Sequence, residues 1–465
     1  MLGMLRKRLN PSVLLLALTG ITLSHHDVQA DESAKVSFKQ KIAPILVDQC
    51  IGCHNEKKSE GTYSMATFEQ LVKGSDRGPA VEPSKPEESI LSKMLHGTEE
   101  PTMPFETDPL VASDIALIDQ WIREGAHFDG NDPAVPIRNL VLDVAPSKAE
   151  YRQPPPLAAL AYRPDGKALA ASGYHEITFW NPADGQLLSR LSTRVERIHS
   201  LAWTPDGARL LYAGGTPGRL GEVVLVNETT RDEAKVLFQS NDMVLSAIFR
   251  PNGSHVAAGG TDRLFRIWET ETGKEISAIE NHADWVLGLA YTPDGNKLLS
   301  ASRDRSVKVW DQERQEALVT FSKHTDAATG VACSPDGTLA CSVGNDRIIR
   351  IWKIDGSAEQ VREIGGHADV IHKVLWARTK PLLITAGGDK RIIAWNPTDG
   401  SVVREFAGST DVVYSLALSS DESRLAAGSY DGQIRIYNVD SGELLISFLA
   451  VPSPATAATS TSNKP

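Results

Sequence analysis

His282, followed by Pro293-Asp294-Gly295, then Asp304 and Trp310, is the stretch that decides the fold of most of this chain. Proline presets φ, aspartate accepts a backbone N–H and glycine takes positive φ, so the triplet reads as a tight hairpin turn. An apolar strand precedes it and another follows. The same turn stands at Pro164-Asp165-Gly166, Pro205-Asp206-Gly207, Pro251-Asn252-Gly253 and Pro335-Asp336-Gly337. Trp180, Trp268, Trp310, Trp352, Trp395 and Tyr437 recur on a later strand, spaced 42, 42, 43 and 42 residues from Trp268 onward. The gap between Trp180 and Trp268 holds one more unit near Asn227, which makes seven. Four short strands repeated every ~40–45 residues predict an all-β, seven-bladed propeller over residues 157–450. Ring closure hides most strand edges.

His282, Asp304 and Trp310, then His324, Asp346 and Trp352, then His367, Asp389 and Trp395 resemble the repeating sets of WD-repeat proteins. The resemblance implies hydrogen bonds within each blade, hence a structural role for these histidines and not metal ligation. Two units depart from it: His175-Glu176 replaces an acidic turn, and Asn227 replaces the tryptophan. Gly214 to Gly221 is a long glycine-rich turn. It lacks the helix and lysine of a phosphate loop, so it reads as a hairpin exposed for contact. Nine residues before the hairpin position an acid stands in six of the units: Glu196, Asp242, Asp284, Asp326, Asp369 and Asp411. They read either as strand-entry hydrogen-bond acceptors or as an acidic docking rim, with Trp285 as an apolar anchor. Cys333 and Cys341 flank one hairpin and read as small buried residues, their register offset for a disulfide.

At the other end stands Cys50-Ile51-Gly52-Cys53-His54. The spacing C-x-x-C-H is the attachment signature of c-type haem: two thiols reach the two vinyl groups, and the histidine next in sequence presents its imidazole to the iron. A zinc half-site would need a second ligand pair nearby, and a thioredoxin-type pair a βαβ context; neither is visible. Phe38 and Ile42 predict a first helix and Pro44 starts a second that runs into Cys50. Ser113 as N-cap, Asp114 in the first turn, Ile115, Ile118 and Ile122 on one face, and Gly125 at the end predict a later helix beside Trp121. Together they predict a small all-α haem domain over residues 31–131. Met65, Met94, His96 and Met103 are the candidates for the second axial ligand. Met94 reads as core, whereas Met103 lies in Pro101-Thr102-Met103-Pro104, where two fixed φ angles pre-order a thioether.

These motifs, with Gly78-Pro79-Ala80, Met103-Pro104 and Trp121-Ile122 before Gly125-Ala126, resemble the cytochrome c-like domain of planctomycetes over most of residues 36–127. The resemblance implies one covalent haem c at Cys50 and Cys53, with His54 and Met103 as axial ligands.

Arg6 to Arg8, the apolar run Val13–Leu23 and Val28-Gln29-Ala30 predict a signal peptide over residues 1–30 and export, to the periplasm or beyond. The apolar run, at 11 residues, is shorter than the ~20 a membrane span needs, so no transmembrane segment is expected after cleavage. Residues 132–156, with six prolines, read as a semi-rigid linker in which Ile137–Val144 could form a strand. Residues 451–465 read as a disordered tail. A net charge of −11 argues against nucleic-acid binding and suits basic protein partners.

The multidomain chain therefore reads as an exported electron carrier: a cytochrome c-like domain with a propeller as protein-interaction platform and a redox partner bearing a basic docking face. The alternatives are an oxidoreductase whose propeller holds a second cofactor or substrate, and a scaffold with a redox-silent haem. The residues assign no catalytic group.

Overall fold

The computed structural model describes residues 35–55, 60–105, 108–130, 132–141, 151, 153–228, 234–280 and 282–450. The expected signal peptide and C-terminal tail lie outside these residues.

The helical module starts with a π-type turn, Phe38–Ile42, continued without a break by helix α1, Ala43–Gln49, with Pro44 in its first turn. Helices α2 (Phe68–Lys73), α3 (Ile90–Leu95), α4 (Ala112–Arg123) and α5 (Ile137–Val141) follow. Phe38, Ile42, Leu46, Ile118, Trp121 and Ile122 are buried together. The Phe38 ring lies 4.8 Å from Phe68 and 5.3 Å from Trp121, within the range of favourable aromatic pairing. Helix α4 begins at Val111 as N-cap, two residues before the expected Ser113, with Asp114 in its first turn. It ends as expected: Gly125 takes φ +103°, and the Ala126 N–H bonds Trp121 O.

The stretch expected to be linker and strand differs. Ile137–Val141 is helical, Ile137 donates its N–H to Ala66 O at 2.8 Å, and Ile137 and Leu140 complete the helical core. Residues 132–141 thus pack with the haem-type module. A short apolar run fits either period, and here the i, i+3 pair faces the core. The far end of the linker is tied to the repeats: Tyr151 Oη donates to Glu176, which Arg190 grips with two nitrogens at 2.6 and 2.7 Å.

The repeat region consists of antiparallel sheets: one of seven strands, Leu160 to Ser240, and five of four strands. In the large sheet the strand Leu187–Trp203 serves two units, pairing first with Tyr174–Trp180 and then with Arg209–Thr216. The five triplet turns carry glycine at φ +70° to +75°. The last unit places Glu422 there instead, at φ +54°, and its carboxylate accepts the N–H of both Arg378 and Thr379. Register also corrects the second unit. Val226 pairs with Leu210 as Trp268 pairs with Val256 and Trp310 with Leu298, so Val226, not Asn227, replaces the tryptophan.

The last sheet packs on the first. Ser415 Oγ donates to Leu157 O at 2.8 Å, the Leu157 N–H reaches Ser429 O at 3.2 Å, and Phe448 lies 5.0 Å from Trp180. Cys333 pairs with Ala340 and Cys341 with Ala332, so the two thiols, both free, sit on opposite faces of the sheet.

Gly214 to Gly221 is a true hairpin, paired down to Thr216 opposite Leu220. Its glycines permit backbone approach: a Cβ on Gly221 would lie 1.9 Å from Asp242 O. Gly221→Ala is expected to cost about 1–3 kcal/mol, measured by denaturant unfolding; an unchanged midpoint would contradict that packing.

Candidate functional site

Cys50 follows α1 directly, with its N–H on Leu46 O. The chain then turns tightly: the N–H groups of Cys53 and His54 both reach Cys50 O, at 3.1 Å. Asn55, which the motif does not include, clamps the turn through its amide to Ile51 O and Gly52 O. A two-residue insert closed in this way brings both thiols and the imidazole to one wall.

His54 is 9% exposed, and its Nδ1 lies 3.1 Å from Tyr63 O. A carbonyl can only accept, so Nδ1 carries the proton and Nε2 keeps the lone pair that a metal requires. Tyr63 is held in turn by its hydroxyl on Leu71 O at 2.8 Å. Nothing in the sequence marked Tyr63, because a backbone carbonyl as partner leaves no residue-type signal. Burial, then the nearby Cys53, pushes the Cys50 thiol up to about 12.

These groups open on one cleft of about 990 Å³, at the upper end of the ~300–1,000 Å³ of ligand pockets. Cys50, Cys53 and His54 line it together with Met65, Met94 and Met103, and Ala80, Ile90, Leu91 and Leu95 give apolar wall. Met94, expected in the core, is half-buried and borders the cleft. His96 is not among the lining residues; its Nε2 pairs with Asp119 at 2.7 Å. The Met103 loop is pinned from two sides: the Met103 N–H donates to Met94 O at 3.1 Å, and Arg77 donates to Glu100 O at 2.8 Å. Two thiols, an imidazole with a free Nε2, thioether candidates and an apolar wall fit a c-type haem by donor chemistry and by volume.

The hairpin at Gly214–Gly221 reaches this module. Arg219 pairs with Asp48, a cleft-lining residue, at 2.9 Å. That contact gives the glycine-rich turn a destination the sequence did not name.

In the repeats, the histidine sets are structural. Trp310 Nε1 donates to Ser300 Oγ at 2.8 Å, Ser300 lies 2.7 Å from His282 Nε2, and His282 Nδ1 lies 2.8 Å from Asp304. An indole N–H only donates, so the serine accepts it and donates its own O–H to Nε2, which leaves Nδ1–H for the carboxylate. Ser342 and Thr385 do the same in the next two units. Each of these hydroxyls lies ten residues before its tryptophan, and that spacing is the signal that marks it in the sequence.

Five of the six acids act alike. Asp242, Asp284, Asp326, Asp369 and Asp411 each accept the N–H of the following residue, at 2.6–2.8 Å. Glu196 departs, lying 3.5 Å from the Arg197 guanidinium. Trp285 already carries the Arg303 guanidinium 4.7 Å above its ring. No helix among the described residues is long and apolar enough to cross a membrane.

Residues 50–106 match the planctomycete cytochrome c family model, and five stretches within 233–438 match the WD domain, G-beta repeat. The chain thus joins a planctomycete-type cytochrome c domain to a WD-repeat region. The repeats are similar to the COMPASS component SWD3 of Saccharomyces cerevisiae, 32% identical over 81 residues, 17% of this chain and 26% of that protein. They are also similar to the periodic tryptophan protein 2 homolog of Neurospora crassa, 27% identical over 146 residues, 31% of this chain and 15% of that protein. The chain spans about a quarter or less of the length of these relatives, and the likeness is one of repeats.

Proposed function

We propose that this chain is an exported c-type cytochrome that passes single electrons through one haem, attached at Cys50 and Cys53. The observation that carries this reading is the single cleft shared by both thiols, the His54 imidazole and Met103. When bound, haem supplies a one-electron iron couple. The chain's own residues do the rest: the cysteines fix position, Tyr63 O orients His54, and the pinned loop presents Met103. A His/Met ligand set raises the reduction potential and favours electron transfer. Export accords with the predicted signal peptide.

The repeat region, on this reading, closes as a seven-bladed propeller and docks partner proteins. Support comes from the strand shared between the first two units, which brings the count of four-stranded units to seven, and from the packing of the last sheet on the first. The acids at the strand entries form a rim for a basic redox partner.

The test is a potentiometric titration of the exported holoprotein with small mediators. A reversible one-electron step is expected, and an iron that exchanges no electron would overturn the carrier reading. Neutralising Asp284 and Asp326 together should weaken partner binding and flatten its salt dependence; unchanged affinity would remove the rim.

A further inference from the structure

In six of the units the residue after the entry bulge of the first strand holds an equivalent position. Register assigns Ser200, Ser246, Gly288, Gly330, Lys373 and Ser415 to it, opposite Ala213, Gly259, Ala301, Val343, Ala386 and Gly428. Five are glycine or serine, and one is lysine.

At this level the first strands of successive units adjoin. A Cβ on Gly288 would lie 3.2 Å from Gly330 Cα, and one on Gly330 would lie 3.5 Å from Val374 Cγ1. Ser200 and Ser415 donate across to the next unit, to Ala247 O and Leu157 O, both at 2.8 Å. A lysine side chain is too long to end there.

Lys373 is exposed, and among the described residues its ammonium has neither a hydrogen bond nor an ion pair. Desolvation by the surrounding protein lowers its pKa, and no neighbouring charge offsets this. A side chain that solvent reaches, on a first strand that adjoins those of the neighbouring units, faces the passage between them. An uncompensated cation in such a place draws an anion from solution.

We propose that the passage ringed by the first strands binds a compact oxyanion, a phosphate or a carboxylate, at Lys373. This rests on the closed-ring reading above. The acidic entry residues would repel a polyanionic chain, so a compact group is the expected ligand.

The experiment treats the full-length holoprotein with a bulky sulfonated succinimidyl ester, alone and with inorganic phosphate or acetate, and follows each lysine by peptide mass spectrometry. Lys373 is expected to react severalfold more slowly than exposed Lys167 and Lys323, and either anion should slow it further while leaving those two unchanged. Protection by phosphate alone assigns a phosphate site; protection by acetate as well assigns a carboxylate site. In calorimetry the saturable phosphate signal should vanish in Lys373→Met while the haem spectrum and melting midpoint stay. Slow labelling that neither anion alters overturns the anion site and leaves the ring intact. Labelling as fast as that of Lys167 overturns the ring itself.

Discussion

Asp346→Ala is expected to lower the stability of the repeat region by about 3–5 kcal/mol, the cost of orphaning one partner of a buried ion pair. Asp346 is 4% exposed in its side chain and Arg350 6%, and they meet at 2.6 Å. His324 Nδ1 lies 3.1 Å from the same carboxylate and continues through Ser342 to Trp352. Alanine leaves the buried guanidinium with only the half-exposed Glu363, 3.5 Å from its Nε, as counter-charge, and cuts the chain of hydrogen bonds at its acidic end. The pH dependence has a definite sign. Burial pushes the Asp346 carboxyl up, but His324 and Arg350 outweigh it and hold the group at about 2. A depressed carboxylate contributes its stability above its unfolded value of ~3.9 and loses it as pH falls through the folded value. The gap between parent and variant should therefore narrow from pH 5 toward pH 2, as followed by denaturant unfolding at each pH. A gap that stays constant, or a loss under about 1 kcal/mol typical of exposed pairs, would contradict this account.

Met103→Ala is expected to lower the reduction potential by on the order of 0.1 V, within the ~0.8 V range that axial ligands span, while attachment through the cysteines stays. The loop is held by Met94 O and by Arg77, so a thioether at position 103 meets the cleft pre-ordered. Met65 and Met94 line the same cleft and are the controls. Alanine at either should leave the potential near that of the parent. If Met94→Ala produces the drop and Met103→Ala does not, the distal ligand is Met94.

The parts legible in the sequence are those written in short local codes. A proline–aspartate–glycine turn needs no partner from elsewhere, and a tryptophan every 42 or 43 residues follows from one four-stranded unit repeating. Cys50, Cys53 and His54 are read the same way, because one turn of chain must place all three. The parts that were not legible depend on partners distant in sequence or on the backbone. Tyr63 acts through its carbonyl. Ile137–Val141 is helical because Ala66 and α1 receive it, although its apolar run suits a strand equally. Val226 stands in for a tryptophan that only register could locate. The glycine-rich hairpin reads as a loop exposed for contact, and its contact is visible only in three dimensions, where Arg219 meets the cleft-lining Asp48.

The central claim is that the two thiols beside His54 carry a tetrapyrrole. Intact-mass and peptide mass spectrometry of the chain, expressed in a host able to mature c-type cytochromes, tests it most directly. The account predicts the mass of one haem on the peptide holding Cys50 and Cys53, lost when both are changed to serine. Recovery of that peptide with two free thiols would contradict it.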